Sequence, residues 1–74
     1  MGRLRVLSGA DVVEILEQGG FAEVRRKGSH VSMQKSDGGR TLTVIVPMHR
    51  ELRTGTLLSI IRQSKLSRSE FEHD

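Results

Sequence analysis

The sequence predicts an α+β fold in which a helix, three antiparallel strands and a second helix follow one another, with a short helical turn at the end. Two segments, residues 8–21 and 48–66, carry apolar residues at the spacing of an amphipathic helix. Between them, apolar and polar residues alternate as in half-buried strands. Gly-Ser and Asp-Gly pairs interrupt this region, which favours two hairpin turns and therefore three strands.

The first helix is predicted from "SGADVVEILEQGGF", which carries a signal at each end. Ser8 is a favourable N-cap, and the carboxylate of Asp11 would stand near the positive end of the helix. Gly19 and Gly20 should end the helix, because glycine adopts left-handed conformations without strain. The preceding "MGRLRVL" is expected to be loose or strand-like. The apolar positions of the helix are Val12, Ile15 and Leu16.

Three strands are predicted from "FAEVRRK", "HVSMQK" and "RTLTVIV". Gly28 and Ser29 separate the first two strands, and "SDGG" separates the second from the third. The third strand is rich in β-branched residues and should end at Pro47, which lacks a backbone N–H. Its inward side chains are expected to be Leu42, Val44 and Val46.

The second helix is predicted within "MHRELRTGTLLSIIRQSKL", with Thr54 as its N-cap. Ser67 and Glu70 have the spacing of a capping box, which predicts a last short helical turn. Phe71 should then fold back onto the core. The apolar stripe of the second helix is expected to be Leu57, Ile60 and Ile61.

One face of the sheet is expected to stay open, because two helices can cover only one face of a three-stranded sheet. Strict alternation along the strands assigns polar residues to the open face, and a β-bulge would alter that assignment. The assigned residues are Arg25, Lys27, His30, Ser32, Gln34, Thr41 and Thr43.

Length and composition narrow the class of protein. The 74 residues predict a single domain over 1–74, and the absence of cysteine excludes disulfides and thiolate metal ligands. No signal peptide or membrane-spanning run is recognisable, so a cytoplasmic protein without a membrane partner is expected. The net charge of +3 favours an anionic partner, either nucleic acid or an acidic protein.

His30, just after the Gly-Ser turn, is the main candidate for chemistry. It is either a surface histidine without a role or a group that takes and gives protons near neutral pH. The second interpretation suits RNA cleavage, because the base need only remove the ribose 2′-OH proton and nearby cations can stabilise the phosphorane. The available cations are Arg25, Arg26, Lys27, Lys35 and Arg40.

Other chemistries fit the sequence less well. His30, His49 and His73 lack the spacing of metal ligands, so neither a metal nor another cofactor is expected. His49 is expected to orient its neighbours rather than to catalyse. The aromatic residues Phe21 and Phe71 occupy expected core positions, so any RNA should be bound through its backbone and shape rather than by stacking.

The start of the second helix has two interpretations of equal weight. Arg50 and Arg53 are either solvated surface residues or part of a phosphate site with the backbone N–H groups of the helix start.

Several motifs occur in a specific order: a glycine-Phe pair after the first helix, then "RRKGSH", "DGG", "VPMH" and "GTLLSIIRQ". This combination, from Ser8 to Phe71, resembles the HicA (YcfA-like) toxins of bacterial toxin–antitoxin modules. The resemblance implies a fold like that of double-stranded-RNA-binding domains, with the helices on one sheet face. It also implies metal-independent cleavage of mRNA, which inhibits translation and growth, with His30 as the catalytic histidine.

The resemblance further implies a HicB-type antitoxin that masks His30, and a toxin that is a monomer alone or a hetero-oligomer with that antitoxin. Val31 departs from the pattern, since many relatives have a polar or aromatic residue after the histidine. Two alternatives come from other classes: a non-catalytic RNA-binding module of the same fold, and a protein-binding domain with an acidic partner. The predicted RNA-binding residues are Arg25, Lys27, Ser29, Lys35 and Arg40.

Overall fold

Six short elements follow one another in the computed structural model, which describes residues 2–73. Their order confirms the predicted α-β-β-β-α arrangement with a short helical turn at the end. None of the helices in this part of the chain is long and apolar enough to cross a membrane. The elements are α1 (Gly9–Gln18), β1 (Ala22–Lys27), β2 (His30–Asp37), β3 (Arg40–Pro47), α2 (Thr54–Ser64) and a 3-10 helix (Arg68–Phe71).

The three strands form one antiparallel sheet in the order β1-β2-β3, so β2 is the central strand. Both hairpins close through two-residue loops that depend on glycine. In the first loop Gly28 has a φ of 58°, and positive φ at the first loop position is typical of a type II′ turn. In the second, Gly38 and Gly39 have φ values of 57° and 85°, as a type I′ turn requires. These turns set the strand register.

The core lies between the two helices and one face of β2 and β3. Its strand side is formed by Val31, Met33, Val44 and Val46, all fully buried, and Phe71 folds onto it as predicted. Leu42 and Ile61, predicted to face inward, pack against this core but are only partly buried. The other core residues are Leu7, Val12, Ile15, Leu16, Phe21, Leu52, Leu57 and Ile60.

Helix α1 has the predicted start and end. Ser8 and Asp11 form a reciprocal capping box with two hydrogen bonds of 3.0 Å, and Gly19 is the C-cap. For α2, the prediction of Thr54 as N-cap is wrong. Arg53 occupies that position in an extended conformation and its side chain makes no capping bond. The helix therefore begins one residue earlier than its best capping side chain would dictate.

The last helical turn forms as predicted with Ser67 as its N-cap, but the capping bonds differ. The Ser67 side chain accepts a hydrogen bond from the backbone N–H of Ser69, and the N–H of Glu70 donates to the carbonyl oxygen of Ser67. The predicted capping box between Ser67 and Glu70 is wrong, because a 3-10 turn brings the second N–H rather than the third to the serine oxygen.

The segment before α1 is tied down by main-chain hydrogen bonds. The N–H of Arg5 donates to the carbonyl oxygen of Phe71 at 2.9 Å, and Leu4 pairs with Glu72. Leu7 is buried, and its carbonyl oxygen accepts from the N–H of Leu52 at 2.8 Å. Residues 2–7 therefore connect the chain end to the loop that precedes α2.

Replacing Asp11 by asparagine should lower the melting temperature near pH 7. The Ser8 backbone N–H, then the Ser8 hydroxyl and the charge of Arg5, lower the pKa of Asp11 below its ordinary value. A carboxylate with a lowered folded-state pKa stabilises the protein above its unfolded pKa, and this stabilisation is lost as the pH falls through the folded pKa. The difference in Tm between wild type and variant should therefore shrink in acid, well below about pH 4.

Glu14→Gln is the control for this measurement, because Glu14 lies exposed on the same helix. A Tm difference for Asp11→Asn that is the same at pH 7 and at low pH would contradict the role of the Asp11 charge.

Candidate active site on the open sheet face

Strand register places His30 at the centre of one end of the open face. Directly opposed residues in an antiparallel pair project to the same side of the sheet. His30 is opposed by Lys27 on β1 and by Pro47 on β3. One pair further along the strands, Ser32 lies between Arg25 and Ile45. A basic strand thus borders His30 on one side.

Most of the remaining residues on this face are polar, as predicted. Gln34 is opposed by Thr43, and the Gln34 amide donates to the Thr43 hydroxyl at 3.4 Å. Ser36 is opposed by Thr41. Ile45 and Pro47 interrupt the polar pattern; Ile45 is 46% exposed. Because side chains alternate along "TVIVP", the inward positions of Val44 and Val46 already predict that Ile45 and Pro47 face outward.

Strand β1 contains a β-bulge, the irregularity that could have altered the predicted assignment of residues to the two sheet faces. The register shifts between Glu23 and Arg25, and the extra residue, Val24, is 53% exposed. The bulge lies before Arg25, so Arg25 and Lys27 keep their places on the open face. Arg26 projects to the other side, where its guanidinium pairs with Glu23 at 3.3 Å.

His30 combines a fixed backbone with an exposed imidazole. It is the first residue of β2 and is paired on both sides of the strand. The preceding carbonyl, of Ser29, accepts a hydrogen bond from the N–H of Met48 at 2.6 Å. The hairpin loop is therefore bonded to the chain that leaves β3, which holds His30 in place while its side chain stays in solvent.

The structure brings only some of the predicted RNA-binding residues to His30. Arg25, Lys27 and Ser29 lie around it. Lys35 lies on the helix side of β2, where its ammonium group donates to the carbonyl oxygen of Gly19 at 2.7 Å. It also stands 5.9 Å from the ring centre of Phe21. This bond satisfies a free carbonyl at the negative end of α1, so Lys35 has a structural role.

Arg40 lies at the opposite end of the sheet, opposed by Asp37 at the second hairpin. The length of β2 separates it from His30 by about 23 Å at roughly 3.3 Å per residue. His30 follows the first hairpin turn and Arg40 follows the second, so the two residues lie at opposite ends of β2.

A small cavity lies away from this face. It has a volume of about 140 Å³ and is bordered by Arg5, Asp11, Glu14, Ile15, Gln18 and Glu70. Its three carboxylates would repel a phosphate backbone. Across residues 2–73, no three His, Cys, Asp or Glu side chains come together as a possible metal site.

Comparison with known proteins identifies the family. The model of the family described as "HicA toxin of bacterial toxin-antitoxin" matches residues 9–66, from the start of α1 to just beyond α2. The chain belongs to the HicA toxin family. A search of curated proteins finds no match. As a HicA-family protein, the chain is the toxin component of a toxin–antitoxin module, and its partner is an antitoxin.

The HicA match includes the whole open face and both hairpins. It also includes the start of α2, where Arg53 is the N-cap and Arg50 lies in the exposed bend before it. A Cβ atom added at Gly55 would meet no atom within 4 Å, so the first turn of α2 is open to solvent. Both interpretations of these arginines, solvated residues or a phosphate site, remain predictions.

Proposed function

We propose that this HicA-family toxin is an endoribonuclease that cleaves mRNA and uses His30 for proton transfer. The observation that carries the proposal is the exposed imidazole of His30 in a basic face, opposed by Lys27 with Arg25 one pair further along. RNA supplies its own nucleophile, so the protein needs a base, charge stabilisation and a means of holding the backbone.

The reaction follows from that arrangement. His30 removes the proton of the ribose 2′-OH, and the 2′ oxygen attacks the adjacent phosphorus. The bond from phosphorus to the 5′ oxygen breaks and that oxygen takes up a proton, which leaves a 2′,3′-cyclic phosphate and a 5′-hydroxyl. The cationic side chains of Arg25 and Lys27 stabilise the negative charge that develops on the phosphoryl oxygens. No metal ion or cofactor has a step in this sequence.

RNA is held through its backbone. Phe21 and Phe71, the chain's two aromatic residues, are 3% and 0% exposed and so offer no stacking surface. Arg25, Lys27 and Ser29 border His30 and are proposed to contact phosphates next to the cleaved bond. Arg40, at the far end of the sheet, could contact RNA only outside this centre. Lys35, on the helix side of β2, could do so only if RNA reached beyond the open face.

Removing Arg25 and Lys27 together, as glutamines, should weaken RNA binding and reduce its dependence on salt. Each lost phosphate contact lowers the slope of log K against log salt by about 0.7 for a single strand, so the double variant should lose roughly 1.4. Arg26→Gln is the matched control, because Arg26 has the same charge on the same strand and projects to the opposite side. Equal losses in the double variant and the control would contradict the assignment of the face.

The activity is tested by incubating the purified toxin with mRNA in excess EDTA. Cleavage supports the proposal. RNA that is bound but stays intact would contradict it and favour the non-catalytic RNA-binding module.

We further propose that the antitoxin is HicB-type and covers His30. Solvent exposure makes the imidazole accessible to a histidine-acylating reagent such as diethyl pyrocarbonate. The rate of modification of His30 should fall strongly when the antitoxin is bound, whereas that of His73, whose backbone is bonded to Arg3, should change little. An unchanged rate at His30 in a stable, inactive complex would contradict masking.

A further inference from the structure

The proposed cleavage reaction needs two proton transfers. One proton leaves the 2′-OH, and another must reach the 5′ oxygen as its bond to phosphorus breaks. In an in-line displacement these oxygens lie on opposite sides of the phosphorus, so a single imidazole is poorly placed for both. His30 can serve one of these proton transfers, so a second acid or base is needed for the other.

His49 lies at the same end of the sheet as His30. The hydrogen bond from the Met48 N–H to the Ser29 carbonyl continues the pairing of β2 and β3 one residue beyond Pro47. Met48 packs against the core, so alternation directs Pro47 and His49 to the open face. The backbone bends only after His49.

This register makes His49 the diagonal cross-strand neighbour of His30. Such neighbours have Cα atoms about 7–8 Å apart, which long side chains can bridge. A phosphate between the two imidazoles could therefore have one ring on the attacking side and one on the leaving side.

The position of His49 is fixed by its main chain rather than by its side chain. Its carbonyl oxygen accepts a hydrogen bond of 2.9 Å from the N–H of Gly9, the first residue of α1. A Cβ atom at Gly9 would lie 2.3 Å from the carbonyl oxygen of Pro47, so α1 packs directly against this segment. The imidazole of His49 is exposed and available to a substrate.

The sequence alone favoured an orienting role for His49, but its place beside His30 supports a catalytic one. We propose that His49 is the general acid of the reaction, an inference that rests on the ribonuclease function proposed above. Lys27 and Arg25 border His30, and the positive charge that stabilises the phosphoryl oxygens also favours the 2′ oxygen as it loses its proton, so His30 suits the attacking side. As the bond from O2′ to phosphorus forms and the bond to O5′ breaks, His30 receives the 2′ proton. His49 gives its proton to O5′, and exchange with water restores both histidines.

The test compares two RNAs that differ in the leaving atom at the cleavage site mapped with wild type. One is ordinary RNA; the other has a bridging sulfur in place of the 5′ oxygen. A thiolate leaves without being protonated, so a missing general acid matters little for the second RNA. His49→Ala should cleave ordinary RNA about 10²- to 10⁴-fold more slowly than wild type and the sulfur-bridged RNA within about tenfold of it.

His30→Ala is the matched variant and should lose activity on both RNAs. His49→Gln keeps more side-chain volume and should give the same pattern as His49→Ala, and thermal melting checks that both variants fold. If His49→Ala cleaves ordinary RNA at the wild-type rate, or loses the same factor in rate on both RNAs, the inference about His49 is overturned. The role of His30 and the ribonuclease activity would then still stand. Failure of wild type to cleave either RNA would instead overturn the proposed function itself.

Discussion

Replacing His30 by alanine should reduce RNA cleavage by about 10²- to 10⁴-fold, the usual contribution of a positioned acid or base. The same change should abolish growth arrest when the toxin is expressed without its antitoxin. His30 is exposed, and its backbone is held by pairing with Lys27 and Pro47. The loss should therefore come from chemistry, with stability changed by no more than about 0.5 kcal/mol.

His73→Ala is the control for this variant. His73 is also exposed, and its backbone N–H donates to the carbonyl oxygen of Arg3, a bond that alanine keeps. The control should cleave RNA at the wild-type rate. RNA binding by His30→Ala should remain within a few-fold of wild type, because phosphate contacts carry most of the affinity. Full activity of His30→Ala would remove His30 from the mechanism.

Replacing Gly9 by alanine should destabilise the fold more than any other substitution considered. The added Cβ would lie 2.3 Å from the carbonyl oxygen of Pro47 and 2.7 Å from the Cα of Met48. Both are backbone atoms, so the steric clash can be removed only if α1 or the end of β3 moves. Such overpacking costs about 3 kcal/mol, and a domain of this size then melts about 12–24 °C lower.

Gly55→Ala is the matched control, a glycine in the first turn of the other helix. A Cβ at Gly55 meets nothing within 4 Å, and alanine is the better helix former, so its Tm should stay equal or rise. A Gly9→Ala protein with the same Tm as wild type would show that α1 does not pack closely against Pro47. Any Gly9→Ala protein that does fold should also cleave RNA poorly, because Pro47 is paired with His30.

The elements with local signals were predictable from the sequence. The capping box of Ser8 and Asp11 involves residues three apart, and the Asp-Gly turn defines its hairpin within four residues. Alternation then placed His30 on the open face with Arg25 and Lys27. The bulge at Val24 did not disturb this, because it precedes both cations.

Long-range contacts were not predictable in this way. The bond from Lys35 to Gly19 joins residues 16 apart, so the sequence did not indicate that Lys35 lies on the helix side of β2. The close approach of Gly9 to Pro47 depends on how α1 lies across the sheet. Helix α2 begins at Thr54 with Arg53 as its N-cap, and the loop before it is bonded to Leu7 through the Leu52 N–H, a contact that the capping preference of Thr54 does not reveal.

In the proposed reaction, the RNA is cleaved by attack of its own 2′-hydroxyl, and histidines on the open sheet face transfer the protons. Identifying the ends of the RNA fragments made by wild-type toxin in excess EDTA tests it most directly. We expect 2′,3′-cyclic phosphate and 5′-hydroxyl ends, because the 2′ oxygen is the nucleophile. Fragments with 5′-phosphate and 3′-hydroxyl ends would show that water attacked instead, and would contradict attack by the 2′ oxygen.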